Sequence, residues 1–158
     1  MYNFITLVAA VAATAAPLVS AVGSARVVNN CGSAVTVWSV GQNVAGPYSV
    51  AANGGSYGET FVKDPVTGGK ALKITLQPDG LYTGAPQTIF AYNLDTDANQ
   101  IWYDLSDVFG DAFAGSKLVE ASSDATCPQI VWSNGTPPAG SQVKVCSANS
   151  DVTLTLCA

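Results

Sequence analysis

The sequence predicts a single all-β domain, an antiparallel β-sandwich of about nine or ten short strands. Three observations support this prediction. Apolar and polar residues alternate in many short segments, as in strands with one buried face. No segment after residue 25 keeps a helical period over three turns. Turn-forming pairs such as Gly46-Pro47 and Asn134-Gly135 separate the segments at short intervals, which is typical of sandwiches and barrels.

The predicted strands combine β-branched or aromatic residues with alternation. Leu72, Ile74 and Leu76, for example, lie on one face of a segment, and Lys73 and Thr75 lie on the other. In chain order the predicted strands are 26–30, 35–40, 57–62, 70–76, 87–94, 100–104, 117–121, 129–132, 142–145 and 152–156. No linker, repeat or low-complexity tract interrupts them, so one domain over 26–158 is expected.

Residues 1–25 are predicted to be a secretory signal peptide. An uncharged apolar run extends from Phe4 to Ala16, Pro17 ends it, and small residues follow. Cleavage is expected after Ala21 or Ala25. A membrane anchor is less favoured, because the run is shorter than the roughly 20 residues that a span needs. The last residues carry no long apolar tail, and no lipid anchor is expected there.

The charged residues exclude several classes of function. The chain has 6 Lys+Arg, 11 Asp+Glu and no histidine, which gives a net charge of -5. Without histidine there is no Ser-His-Asp triad, no His-liganded zinc and no imidazole base. Nucleic-acid binding is not expected, because it requires a basic face. Carboxylates, with Lys, Tyr and Cys, remain for acid–base chemistry, and neither a metal nor a cofactor is expected.

The cysteines and one sequon both fit an exported chain. The four cysteines are Cys31, Cys127, Cys146 and Cys157. An even number predicts two disulfides with three possible pairings, and their wide spacing disfavours a thiolate metal site. If the first and last strands are neighbours, Cys31–Cys157 would join the chain ends and Cys127–Cys146 would close the loop around Trp132. Asn134, in Asn134-Gly135-Thr136, is a candidate glycosylation site.

Several motifs occur together in a recognisable order. They are VVNNC at 27–31, WSVG at 38–41, GPY at 46–48, TGGKALKIT at 67–75, GAPQT at 84–88, IWYDLSDVFGD at 101–111 and DVTLTLC at 151–157. With these motifs the chain resembles the Blastomyces yeast-phase-specific protein family, small secreted antigenic thaumatin-like proteins of fungi. The resemblance covers essentially all of the mature chain. It implies a thaumatin-like β-sandwich in which the N- and C-terminal cysteines are bonded.

The resemblance also implies a candidate site. Plant thaumatin-like proteins have an acidic cleft that is associated with β-1,3-glucan binding or weak glucanase activity. Asp104 matches a cleft aspartate, whereas Phe109 and Ala91 stand where a second aspartate and the glutamate are expected. No counterpart of the cleft arginine is found. The neighbouring acids, and a tyrosine that would stack on a sugar ring, complete the candidate ligand-binding residues: Tyr103, Asp104, Asp107 and Asp111.

These residues predict a binding protein more than a catalyst. The predicted function is a secreted, non-enzymatic protein of the fungal cell wall or surface that weakly binds β-glucan or another polysaccharide through an acidic surface. One alternative is an antigen, adhesin or effector that contacts a host surface protein. The other is a weak endo-β-1,3-glucanase, which needs two carboxyl groups about 5–5.5 Å or roughly 6.5–9.5 Å apart. A monomer without a membrane anchor is expected in each case.

Overall fold

Eleven strands and one short helix make up residues 21–158, the part of the chain that the computed structural model describes. The strands are β1 (Ser24–Asn29), β2 (Val35–Val40), β3 (Val44–Val50), β4 (Gly55–Thr60), β5 (Gly69–Thr75), β6 (Gln87–Asp95), β7 (Gln100–Val108), β8 (Leu118–Ser122), β9 (Ile130–Trp132), β10 (Lys144–Ser147) and β11 (Val152–Leu156), and the helix is α1 (Gly80–Thr83). They form a five-stranded sheet, β4-β1-β11-β8-β9, and a six-stranded sheet, β10-β7-β6-β5-β2-β3. The predicted all-β sandwich is therefore confirmed.

The core lies between the two sheets. Each strand turns alternate side chains inward, so Ile101, Tyr103 and Leu105 of β7 are buried, as are Leu154 and Leu156 of β11. The inward side chains of both sheets form one hydrophobic cluster. Burying a large apolar side chain contributes about 1.5–3 kcal/mol, which is why the alternating pattern of the sequence determines the faces of the sheets.

The first and last strands of the described chain are direct neighbours in the five-stranded sheet. β1 pairs with β11 in parallel, so the sandwich is not wholly antiparallel as the sequence suggested. Cys31, just after β1, is bonded to Cys157, just after β11, with their Cα atoms 5.1 Å apart. Cys127 is bonded to Cys146. Both pairs are those expected from the sequence.

Two elements were not predicted. The sequence suggested a turn at Gly46-Pro47, but this pair lies within β3. β3 is the edge strand of its sheet and pairs only with β2, and an edge position tolerates a proline because it needs fewer N–H donors. The helix α1 occupies the region predicted as a turn around Gly80. β3 raises the number of strands from the ten predicted to eleven.

Glu120 is an unusual member of the core. Its side chain is 0% exposed, and neither carboxylate oxygen has a hydrogen-bond partner among the described residues. Its register partners on the neighbouring strands are Leu154 and Ile130, both apolar. Burial raises the pKa of Glu120 well above its usual value, because the apolar surroundings disfavour the charged form. The native fold therefore favours a protonated Glu120.

Glu120 makes the stability of the protein depend on pH. A carboxyl whose pKa is raised by folding stabilises the native state below its unfolded pKa, about 4.3, and this stabilisation is lost as pH rises. We expect the melting temperature of the wild type to fall between pH 4 and pH 8 and that of Glu120→Gln to fall by several degrees less. Asp97→Asn, which removes an exposed carboxylate, is the control and should follow the wild type. Parallel wild-type and Glu120→Gln profiles would contradict this expectation.

Hydrogen bonds and burial at the start of β1 favour one of the two predicted cleavage positions. Residues 1–20 of the predicted signal peptide lie outside the described residues. The N–H of Gly23 donates to Ala148 O at 2.7 Å, and the N–H of Ser24 donates to Asp151 Oδ1 at 2.9 Å. Ala25 is 0% exposed. Cleavage after Ala25 would remove all three residues, two of which belong to β1, whereas cleavage after Ala21 leaves β1 complete.

We therefore predict that the mature protein begins at Val22. N-terminal sequencing of the protein recovered from the culture medium of an expressing fungus checks this directly. A first residue of Arg26 would contradict the prediction, because β1 would then lack its first two residues.

Candidate functional site

The four predicted ligand-binding residues do not form one cluster. Asp104 projects from the outer face of the six-stranded sheet. Tyr103 projects from the inner face, is only 1% exposed, and donates its hydroxyl hydrogen to Pro128 O. Asp107 is four residues after Tyr103 and shares its face of the sheet. It lies at the far end of β7, where it accepts a hydrogen bond from Thr88 Oγ1 at 2.7 Å. Asp111 follows in the next turn and is exposed.

A groove of about 420 Å³ crosses the outer face of the six-stranded sheet and includes Asp104. A row of register partners, Val40, Ala71, Ala91 and Asp104, runs across β2, β5, β6 and β7. Neighbouring strands are ~4.8 Å apart, so this row is ~14 Å long. Its small alanines form a shallow floor. Ala91 is the position where the resemblance led us to expect a glutamate.

An aromatic wall and polar groups flank this floor. Trp102, two residues before Asp104 on the same face, is 44% exposed and lines the groove. Asn93, the register partner of Trp102 on β6, is exposed and supplies an amide. The site thus combines one accessible ring face, one amide and one carboxyl group above small apolar side chains.

The rim of the groove is held in place by Asp64. Its carboxylate accepts hydrogen bonds from the N–H groups of Gln42, Val66 and Thr67 at 2.8, 3.0 and 2.9 Å. These bonds hold the pKa of Asp64 far below its usual value, because they stabilise the charged form. They also tie the turn after β2 to the loop before β5. Thr67, which lines the groove, is thereby fixed relative to the floor.

The electrostatics of the groove are simple. Among the described residues that line it, Asp104 is the one carboxylate and Lys70 the one cation. Partial burial raises the pKa of Asp104. Lys70 is already engaged, since its Nζ lies 3.7 Å from Glu59 Oε1 and donates to Ser39 Oγ at 3.2 Å. Glu59 also accepts hydrogen bonds from two tyrosine hydroxyls, which turn it toward the space between the sheets.

The other predicted acids occupy a different environment. Burial, opposed in part by the hydrogen bond from Thr88, and the neighbouring carboxylate of Asp111 raise the pKa of Asp107 to about 7. Asp107 and Asp111 lie at the end of β7 and do not line the groove. Glu120 lies in the core. No second carboxylate from the described residues therefore faces the groove beside Asp104.

The predicted glycosylation site has a clear position at the surface. Asn134 is exposed in the turn after β9, where a sugar would not enter the core.

In residues 21–158, one group of potential metal ligands is found, Asp124, Cys127 and Cys146, but its two sulfur atoms are joined in a disulfide. That bond removes the thiolates that a metal would need. Nothing among the described helices has the length and hydropathy of a membrane span.

Comparison with known proteins places the chain in a family. Residues 12–158 match the model of the Blastomyces yeast-phase-specific protein family. The chain belongs to this family. The resemblance recognised in the sequence motifs is thus confirmed over nearly the whole chain.

Two fungal proteins and one solved structure are similar to this chain. The antigenic thaumatin-like protein of Arthroderma benhamiae is 26% identical over 145 residues, which cover 86% of this chain and 71% of that protein. The secreted thaumatin-like protein calA of Emericella nidulans is 27% identical over 175 residues, covering 99% and 97%. The crystal structure of the protein elicitor MoHrip2 from Magnaporthe oryzae has a TM-score of 0.70 and 24% identity, covering 86% and 99%. The structural likeness shows the fold.

Strand parity explains why Trp102 is the accessible aromatic beside Asp104. Residues two apart on a strand share a face, so Trp102 and Asp104 point outward together while Tyr103 points inward. The order Trp102-Tyr103-Asp104 therefore predicts that the tryptophan, and not the tyrosine, shares a face with the aspartate. Proximity in sequence alone favours Tyr103, which is adjacent to Asp104 but on the opposite side of the sheet.

Proposed function

We propose that this protein is a secreted, non-enzymatic fungal protein of the cell wall or surface that weakly binds a neutral polysaccharide, foremost β-glucan, in the groove around Trp102 and Asp104. The observation that best supports this proposal is the exposed Trp102 ring beside the alanine floor of the groove. Secretion is supported by the predicted leader, the two disulfides and a relative whose name describes it as secreted.

The groove has the chemistry that a neutral sugar chain requires. An exposed indole offers an apolar face to the C–H surface of a sugar ring. Asn93 and Asp104 offer a donor and acceptors to hydroxyl groups. The single free carboxylate gives no reason to select a cationic ligand, and the length of the floor, ~14 Å over three strand spacings, favours a chain of rings over a single sugar.

The same groove argues against hydrolysis. Glycosidases place two carboxyl groups on either side of the scissile bond, about 5–9.5 Å apart. Of the described carboxylates, Asp104 alone lines the groove, and Ala91 stands in its floor. A bound chain would therefore meet one carboxyl group and no partner for it, which supports binding without cleavage.

A second candidate function is contact with a host. One relative is named an antigenic protein, and a structural neighbour is named a protein elicitor. These names support a role outside the cell in which a host surface protein is the partner. Such a role does not need the groove, and it is separable from glucan binding by competition with soluble glucan.

We expect Trp102→Ala to weaken binding to soluble β-1,3-glucan at least tenfold, about 1.4 kcal/mol, because the stacking face is lost. Asp104→Ala should weaken it less, because one set of hydrogen bonds is lost and the floor remains. Affinity electrophoresis in laminarin-containing gels measures both effects. The matched control is Tyr82→Ala, which removes an aromatic ring that is 74% exposed and outside the groove.

Three outcomes would contradict the proposal. Retention of Trp102→Ala by laminarin equal to that of the wild type would place binding elsewhere. Release of reducing sugar from laminarin by the wild type, beyond a boiled sample, would show hydrolysis. Equal losses in Trp102→Ala and Tyr82→Ala would indicate nonspecific aromatic contact, and they would also count against the groove.

A further inference from the structure

A second accessible surface lies at the opposite end of β7 from Trp102. Phe109 follows Trp102 by seven positions, a distance of ~23 Å along an extended chain at about 3.3 Å per residue. The connections that follow β5 and β7 both lie at this end of the sheet, and three of their apolar side chains are well exposed: Leu76 at 46%, Tyr82 at 74% and Phe109 at 64%. We call residues 76–87 and 108–111 the tip surface.

The two segments of the tip surface are joined by contacts of the backbone. Gln87 and Val108 are register partners at the ends of β6 and β7, which brings Pro86 next to Phe109. A Cβ built on Gly110 would lie 3.4 Å from Pro86 Cγ. The side chain of Gln87 also donates from Nε2 to Gly80 O at 3.5 Å, which holds α1 and Tyr82 against the start of β6.

Phe109 has a backbone conformation that its side chain disfavours. Its φ is 62°, in the left-handed region that is sterically disfavoured for a bulky L-residue. Glycine adopts this conformation without that cost. The ring is mostly exposed, so burial in the core does not compensate for it. The conformation instead directs a large apolar ring into solvent, and strained residues of this kind cluster at functional surfaces.

The charged residues in and directly beside the two segments of the tip surface are all acidic. Residues 76–87 and 107–112 contain Asp79, Asp107 and Asp111 but no Lys or Arg. Asp79 and Asp111 are exposed. A partner that covered the rings would bring its own charges within a Debye length of these carboxylates, about 8–10 Å. Positive charges on the partner are therefore attracted, and anionic membranes or nucleic acids are repelled.

We propose that the tip surface is a docking site for another protein whose contact surface is apolar at its centre and carries Lys and Arg around it. The aromatic and aliphatic side chains would form the desolvated centre, and Asp79 and Asp111 would pair with the basic rim. Interfaces commonly have this arrangement of apolar anchors within a charged border. The site is separate from the groove and does not depend on glucan binding.

The test uses the intact secreted protein and a defined probe, an amphipathic peptide of alternating lysine and leucine. Its counterpart of glutamate and leucine tests charge, and vesicles of phosphatidylcholine, with and without phosphatidylserine, test membranes. In amide NMR spectra of the wild type, we expect the basic peptide to shift resonances of the tip surface and the acidic peptide to leave them unchanged. Raising the salt concentration should weaken the basic complex.

Substitution of Phe109 separates docking from folding. We expect Phe109→Gly to lower the affinity for the basic peptide at least tenfold while its melting temperature stays equal to or rises above that of the wild type, since the strain is relieved. Tyr82→Ser should weaken binding without changing α1. Trp102→Ala is the control: it should bind the peptide normally, and Phe109→Gly should bind laminarin normally.

The remaining outcomes overturn the proposal. A lower melting temperature for Phe109→Gly, together with normal peptide binding by Tyr82→Ser, would make the tip a structural feature. Resonance shifts spread over all acidic residues would indicate general charge attraction. Vesicle binding that depends on Phe109 would make the ligand a membrane instead of a protein. Failure of glucan binding at the groove would leave each of these results unaffected.

Discussion

The parallel pairing of β1 with β11 is the constraint on which the rest of the structure depends. It places the first described strand inside the five-stranded sheet, between β4 and β11, and it brings Cys31 to Cys157. The disulfide closes a loop of 126 residues. In the entropy model this lowers the conformational entropy of the unfolded chain and stabilises the native state by about 4–5 kcal/mol. Asn29 reinforces the junction, because its buried amide donates to three carbonyls, of Ser33, Val50 and Ala51. Both sheets are thereby held at one corner.

Much of this architecture was predictable from the sequence because it follows from local alternation. Strong period-two segments such as β5 and β11 were placed to within a residue or two, and the even cysteine count gave the two disulfides. β3 was missed because Gly46 and Pro47 are turn formers locally, and only the edge position in the sheet permits them there. The parallel β1–β11 pairing was also beyond local pattern, since it joins segments from opposite ends of the chain.

The candidate site was predictable in part. Asp104 lies in a groove, but the sequence grouped it with Tyr103, Asp107 and Asp111, which the alternating strand separates. A carboxyl group two residues from a tryptophan on the same strand is a better indicator of a shared surface than a carboxyl group next to a tyrosine. Burial then gives the acids different properties: Glu120 is enclosed in the core, Asp107 shares its environment with Asp111, and Asp104 is partly buried in the groove.

The central claim is that β7 presents Trp102 outward, as the ring that meets a sugar chain. The chain has three tryptophans, and Trp38 and Trp132 are 0% exposed. Titration of the protein with a laminari-oligosaccharide, followed through the three indole N–H resonances in NMR spectra, therefore tests the claim directly. The account predicts a progressive shift of the Trp102 resonance, with the resonances of Trp38 and Trp132 unchanged. Saturable binding without a shift of the Trp102 resonance would contradict it.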